Sequence, residues 1–145
     1  MKPSKTWILL ADTQAVRIIA NDGPNKGLYG ASTKGLNAPA VSELSDAPGM
    51  TKAPVGPDRG SISERDLKTQ AATSFAGAIL DVLMDAHGRG AFQRLIIIAS
   101  PTMLGILRQR MPQPLGDIIR AEIAKDLTQV PLEDLPAHLT DVLAV

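Results

Sequence analysis

Cysteine is absent from the 145 residues, which excludes a disulfide framework, a thiolate zinc site and a thiol nucleophile. Histidine is nearly absent: His87 and His138 are the two imidazoles, too few for a His-rich metal centre. Aromatic side chains are scarce, with Trp7, Tyr29, Phe75 and Phe92 making up 3% of the chain. A stacking platform for single-stranded bases therefore has little to be built from. Neither sign of charge prevails. Fifteen Lys and Arg balance fifteen Asp and Glu, which removes a general attraction for nucleic acid and leaves any RNA contact to a local patch. Apolar runs are short, none approaching the roughly 20 residues of a bilayer crossing. The basic start Met1-Lys2-Pro3-Ser4-Lys5 leads into an apolar run that stops at Ala11 before Asp12, too short for a secretory leader. A cytoplasmic protein without membrane contact is expected.

What is present is ordinary for a globular chain, 44% hydrophobic and 21% charged, and the length suits one domain over residues 1–145. Thr6 to Ala11 and Ala15 to Ala20 read as two short strands joined by Asp12-Thr13-Gln14, a hairpin. Asn21-Asp22-Gly23-Pro24-Asn25-Lys26-Gly27 is dense in turn formers and leads to a third strand near Leu28 to Ser32. From 33 to 63 four prolines and four glycines interrupt any apolar period, which predicts a long loop; loops of that length inside a compact domain are commonly functional or mobile.

Leu67, Ala71, Phe75, Ala78, Ile79, Val82, Leu83 and Ala86 recur every three or four residues, predicting an amphipathic helix from Glu64 to about His87, stopped by Gly88-Arg89-Gly90. Phe92 to Ala99 carries Leu95-Ile96-Ile97-Ile98 without alternation, the mark of a strand covered on both faces. It runs into Ser100-Pro101, where Ser can cap a helix and Pro can open it, and Met103, Leu104, Leu107 and Met111 follow at helical spacing. Ile118 to Ala124 alternates as another strand, and Pro131 to Leu143 reads as a closing helix capped near Asp134. The order is β-β-β-α-β-α-β-α. Such an order predicts an α/β domain with a mixed five-stranded sheet and helices packed on it, the topology of ribonuclease H-like domains.

Candidate chemistry gathers at strand ends. In a ribonuclease H-like sheet, carboxylates would have to converge to hold two metal ions, but Asp12, Asp22, Glu122 and Asp126 read as turn formers and solvated charges, and no metal or cofactor is expected. Ser100 lacks the flanking glycines of a hydrolase elbow, so it reads as a cap whose helix start could hold an anion with help from Arg108 or Arg110. Lys125-Asp126 follows a strand and reads as a capping or salt-bridged turn, with binding as the alternative. Asp58-Arg59-Gly60 with Arg65 and Asp66 reads as a mobile, solvated loop or, alternatively, as a recognition tip, Gly permitting close backbone approach and Arg planar contacts.

Together, Ala11-Asp12, Ala15-Val16-Arg17-Ile18, Asn21-Asp22-Gly23-Pro24, Lys26-Gly27-Leu28, Ser45-Asp46, Pro48-Gly49, Phe75-Ala76, Leu95 to Ala99 with Pro101, Leu104-Gly105-Ile106-Leu107-Arg108 and Lys125-Asp126-Leu127-Thr128 closely resemble the bacterial host attachment protein family. That family in turn is similar to the middle domain of archaeal and eukaryotic peptide-chain release factors. In those factors the loop before the long helix carries Gly-Gly-Gln, which positions water to attack peptidyl-tRNA. Here the corresponding stretch is Pro57-Asp58-Arg59-Gly60-Ser61-Ile62-Ser63-Glu64-Arg65, without that tripeptide. The resemblance therefore implies a non-catalytic module acting on ribosome or tRNA through the loop and Arg59, Arg65 and Lys68. Two other readings compete with it. One is a protein-interaction or regulatory module, binding another protein or a second copy of itself and affecting host attachment indirectly. The other is a hydrolase or phosphate-ester enzyme at the Ser100 helix start.

Overall fold

A computed structural model describes residues 5–23, 26–31 and 63–140. Its strands are β1 (Thr6–Ala11), β2 (Val16–Asn21), β3 (Tyr29–Gly30), β4 (Arg94–Ala99) and β5 (Ile119–Ala124). The helices are α1 (Glu64–Gly88), α2 (Pro101–Arg110), and the short α3 (Gln113–Gly116) and α4 (Leu135–His138), the last preceded by a 3-10 turn at Leu132–Asp134.

The strands form one mixed sheet in the order β3-β2-β1-β4-β5. β2 runs antiparallel to β1 and β3, while β4 runs parallel to β1 and β5. Leu9, sitting between Ile18 of β2 and Ile97 of β4, marks the centre. Alternation along each strand sends side chains to two cores. Leu9, Ala11, Ile18, Leu95, Ile97 and Ala99 pack beneath Phe75, Ile79 and Leu83 of α1, Met103, Leu104 and Leu107 of α2, and Leu115 of α3. Ile8, Leu10, Ile19, Ile96 and Ile98 face the other way, under Leu127, Leu135 and Leu139. Both faces of β1 and β4 are thus covered, which explains the unbroken apolar run in β4.

Local chemistry sets the element ends. Ser63 Oγ accepts from Asp66 N at 3.1 Å to start α1. At its far end Gly90 adopts φ +78°, a conformation that costs glycine little. Ala91 N then donates to Ala86 O and Gly90 N to His87 O, both at 3.0 Å, closing a Schellman motif.

The structure revises several element boundaries. The third strand is confined to Tyr29–Gly30, and β2 begins one residue later than expected, at Val16. Between α2 and β5, where the sequence reading assigned no element, Gln113–Gly116 forms α3. The closing helix is reduced over the described residues to a 3-10 turn and one turn of α-helix, and Asp134 makes no side-chain cap bond. Pro136 lacks the N–H that would extend an earlier helix through this point. β5 alternates between half-buried and exposed positions, as expected. A register shift between Leu95 and Ile96 turns Ile119 to the α1 face and Ala121 and Ile123 to the opposite one.

Candidate functional site

The parallel strands β1 and β4 end side by side at Ala11 and Ala99, the edge where open α/β sheets tend to bind ligands. Three segments meet there. The first is the hairpin turn, built by Asp12: its Oδ1 accepts from Gln14 N and Ala15 N, both at 2.7 Å, and its own N–H donates to Ala15 O at 2.9 Å. The second is the start of α1. The third is the start of α2, tied back to β1 by Ser100 N donating to Ala11 O at 3.0 Å, with Ser100 Oγ accepting from Met103 N at 3.4 Å.

Between them lies an open hollow of about 350 Å³. The turn contributes Thr13 and Gln14; α1 contributes Arg65, Lys68, Thr69 and Ala72; α2 contributes Thr102 and Ile106. Arg65, Lys68 and Ala72 lie on one face of α1 at spacings of three and four. No carboxylate lines this hollow among the described residues. Arg65 also stands in the first turn of α1, where the macrodipole favours anions. Glu64 and Asp66, in the same first turn, obey that preference. Two cations on the lining of one hollow, with no carboxylate among its described lining residues, suit an anionic ligand.

On the other face of the same edge, Thr128 links β1 to the chain after β5. Its hydroxyl lies 2.7 Å from Asp126 Oδ1 and 3.2 Å from Asp12 Oδ2, and its N–H donates to Asp126 Oδ1 at 3.1 Å. The Thr128 hydroxyl is the main cause holding the Asp126 carboxyl below the usual carboxylate range; burial opposes it, and the Thr128 N–H and Asp12 assist it. Arg17 donates from one guanidinium nitrogen to Thr128 O at 3.0 Å and Val130 O at 2.5 Å. Together these bonds fasten the segment that covers the second core.

The candidates from sequence fall into distinct places. Arg65 and Lys68 come together in the hollow, and Ser100 caps the helix that forms one of its walls. Arg108 lies farther along α2, where its Nε donates to Glu122 Oε1 at 2.7 Å, and it does not line the hollow. Lys125 is exposed after β5, while Asp126 belongs to the Thr128 turn. Asp58, Arg59 and Gly60 lie outside the described residues. Sequence reasoning missed Thr13, Thr69 and Thr102 and set Gln14 aside as a hairpin residue. Thr69 and Thr102 were accessible from helical register with Arg65 and Ile106; the approach of the hairpin to α1 was not.

The sequence model of bacterial archaeo-eukaryotic release factor family 12 matches residues 5–139. The chain belongs to that family. An uncharacterised protein of Rickettsia prowazekii (strain Madrid E) is 53% identical over 38 residues, 26% of this chain and 25% of that protein. A match confined to a quarter of the relative says nothing of the rest of it. Membership agrees with the release-factor-like resemblance of the sequence. Within the described residues no helix is long and apolar enough to cross a membrane.

Proposed function

We propose that this family 12 protein is a release-factor-related binding module that engages tRNA or ribosomal RNA through the hollow between α1 and α2, without cleaving it. The observation that carries this reading is that Arg65 and Lys68 both line a hollow that lacks a carboxylate lining among the described residues. Phosphate is the anion that the translation machinery presents most densely, and Arg and Lys both pair with it. Thr13, Gln14, Thr69 and Thr102 supply neutral donors and acceptors for sugar or base edges. Release-factor chemistry depends on a Gly-Gly-Gln loop before the long helix, and residues 57–65 do not carry it. The strand order, with β2 antiparallel to its neighbours, further supports the ribonuclease H-like reading. An influence on host attachment would then be indirect, through translation of other proteins.

The test is tRNA binding to the full chain by fluorescence anisotropy across a salt series, for wild type and for Arg65→Ala combined with Lys68→Ala. Wild type is expected to bind with an affinity that falls as salt rises. The double variant should bind at least tenfold more weakly, with a salt slope shallower by about 1 to 2. Equal affinity and equal slope for the two proteins would refute this assignment.

A further inference from the structure

At the end of the sheet opposite that hollow, where β1 and β4 begin, stands the one tryptophan of the chain. One face of the Trp7 indole stacks on Phe92, with ring centroids 4.6 Å apart and an interplanar angle of 25°. Trp7 also lines a second hollow, of about 560 Å³, whose apolar walls are Val82, Ala86 and Ala91. Its polar lining is Asp81, Asp85 and Arg89. Asp85 is engaged by Arg89, Nε to Oδ2 at 3.0 Å, with both side chains about 70% exposed (72% and 67%). Asp81, one turn earlier, is exposed and has no ion pair among the described residues.

Two features here favour the same kind of guest. An indole face attracts a cation, and an unneutralised carboxylate attracts it more strongly. Apolar walls beside a charged lining also match the build of Lys and Arg, whose methylene stems lie along apolar surface while the head group stays at the water boundary. Arg89 already places a guanidinium on this lining. We propose that the hollow docks an Arg or Lys side chain from a basic protein segment. The stem would lie against Val82, Ala86 and Ala91, and the head group would sit between Trp7 and Asp81. Nucleic acid is the poorer match for this lining, where two carboxylates stand against one guanidinium.

Because Trp7 is the single tryptophan, its emission reports the site directly. The full chain is titrated with a decapeptide of alternating Arg and Gly, with the matching Glu and Gly peptide, and with a single-stranded oligonucleotide. A saturable change in Trp7 emission with the Arg peptide alone is expected. Asp81→Asn should weaken that binding roughly three- to fivefold, and Arg89→Ala should tighten it by a similar factor, by freeing Asp85 and removing a competing cation. Both substitutions are at exposed side chains, and circular dichroism checks that each protein is folded. Arg65→Ala with Lys68→Ala should leave this titration unchanged, which separates it from the RNA assignment. Absence of a saturable change, equal affinities for wild type, Asp81→Asn and Arg89→Ala, or a stronger response to the oligonucleotide would overturn the proposal.

Discussion

Thr128 carries more of the molecule than a turn residue normally does. It is buried, while the Asp126 carboxylate that its hydroxyl meets is exposed, so one hydroxyl joins β1, through Asp12, to the segment covering the second core. Hydrogen bonds to charged groups contribute about 1.5–3 kcal/mol, with the lower end fitting an exposed carboxylate. Thr128→Val keeps the shape and removes the hydroxyl, and should cost about 1–2 kcal/mol in urea unfolding at neutral pH. The pH dependence has a definite sign. Asp126 has a lower pKa folded than unfolded, so its contribution is present above the ordinary carboxylate range and is lost as pH falls through the depressed folded value. The gap between wild type and Thr128→Val should therefore narrow on acidification, and a constant gap would contradict this account. Sequence reasoning recognised Asp12 and Asp126 as turn formers, and both are. That they meet through Thr128 depends on a contact spanning more than a hundred residues, which spacing along the chain does not encode.

Elements with one dominant signal were legible in advance. α1 starts at Ser63 and stops at Gly90 because capping and glycine chemistry act locally, and β4 is recognisable because both its faces are covered. Ile97 illustrates the second case: it is fully buried at the centre of the sheet, so Ile97→Ala should cost about 2–5 kcal/mol, measured by denaturant unfolding. By contrast, the register shift beside β4 arises from pairing with a neighbour and leaves no periodic trace. The Arg108–Glu122 bridge between α2 and β5 was equally hidden. With side-chain exposures of 59% and 26% it should couple by about 0.5–1 kcal/mol in a double-mutant cycle. A coupling above about 2 kcal/mol would mean that it is far better shielded from solvent than its exposure indicates.

Across the whole molecule, the two ends of the sheet present hollows of different lining. The one at the carboxyl ends of β1 and β4 carries Arg65 and Lys68 and no carboxylate among the described residues; the one at their amino ends carries Asp81 and Asp85 with Arg89, beside Trp7. A net charge of zero does not reveal such local groupings, which is why composition alone argued against RNA. The α/β class, the mixed sheet and the placement of Arg65 and Lys68 at the start of one long helix could be read from the sequence; the hairpin wall of the hollow and the hollow around Trp7 required tertiary placement. The central claim is RNA engagement through the α1–α2 hollow. Its most direct test is co-sedimentation with 70S ribosomes at low and high salt, comparing wild type with Arg65→Ala combined with Lys68→Ala, both confirmed as folded. Salt-sensitive association that the double variant loses is the predicted result. Failure of wild type to associate at low salt, or association that survives the loss of both cations, would contradict it.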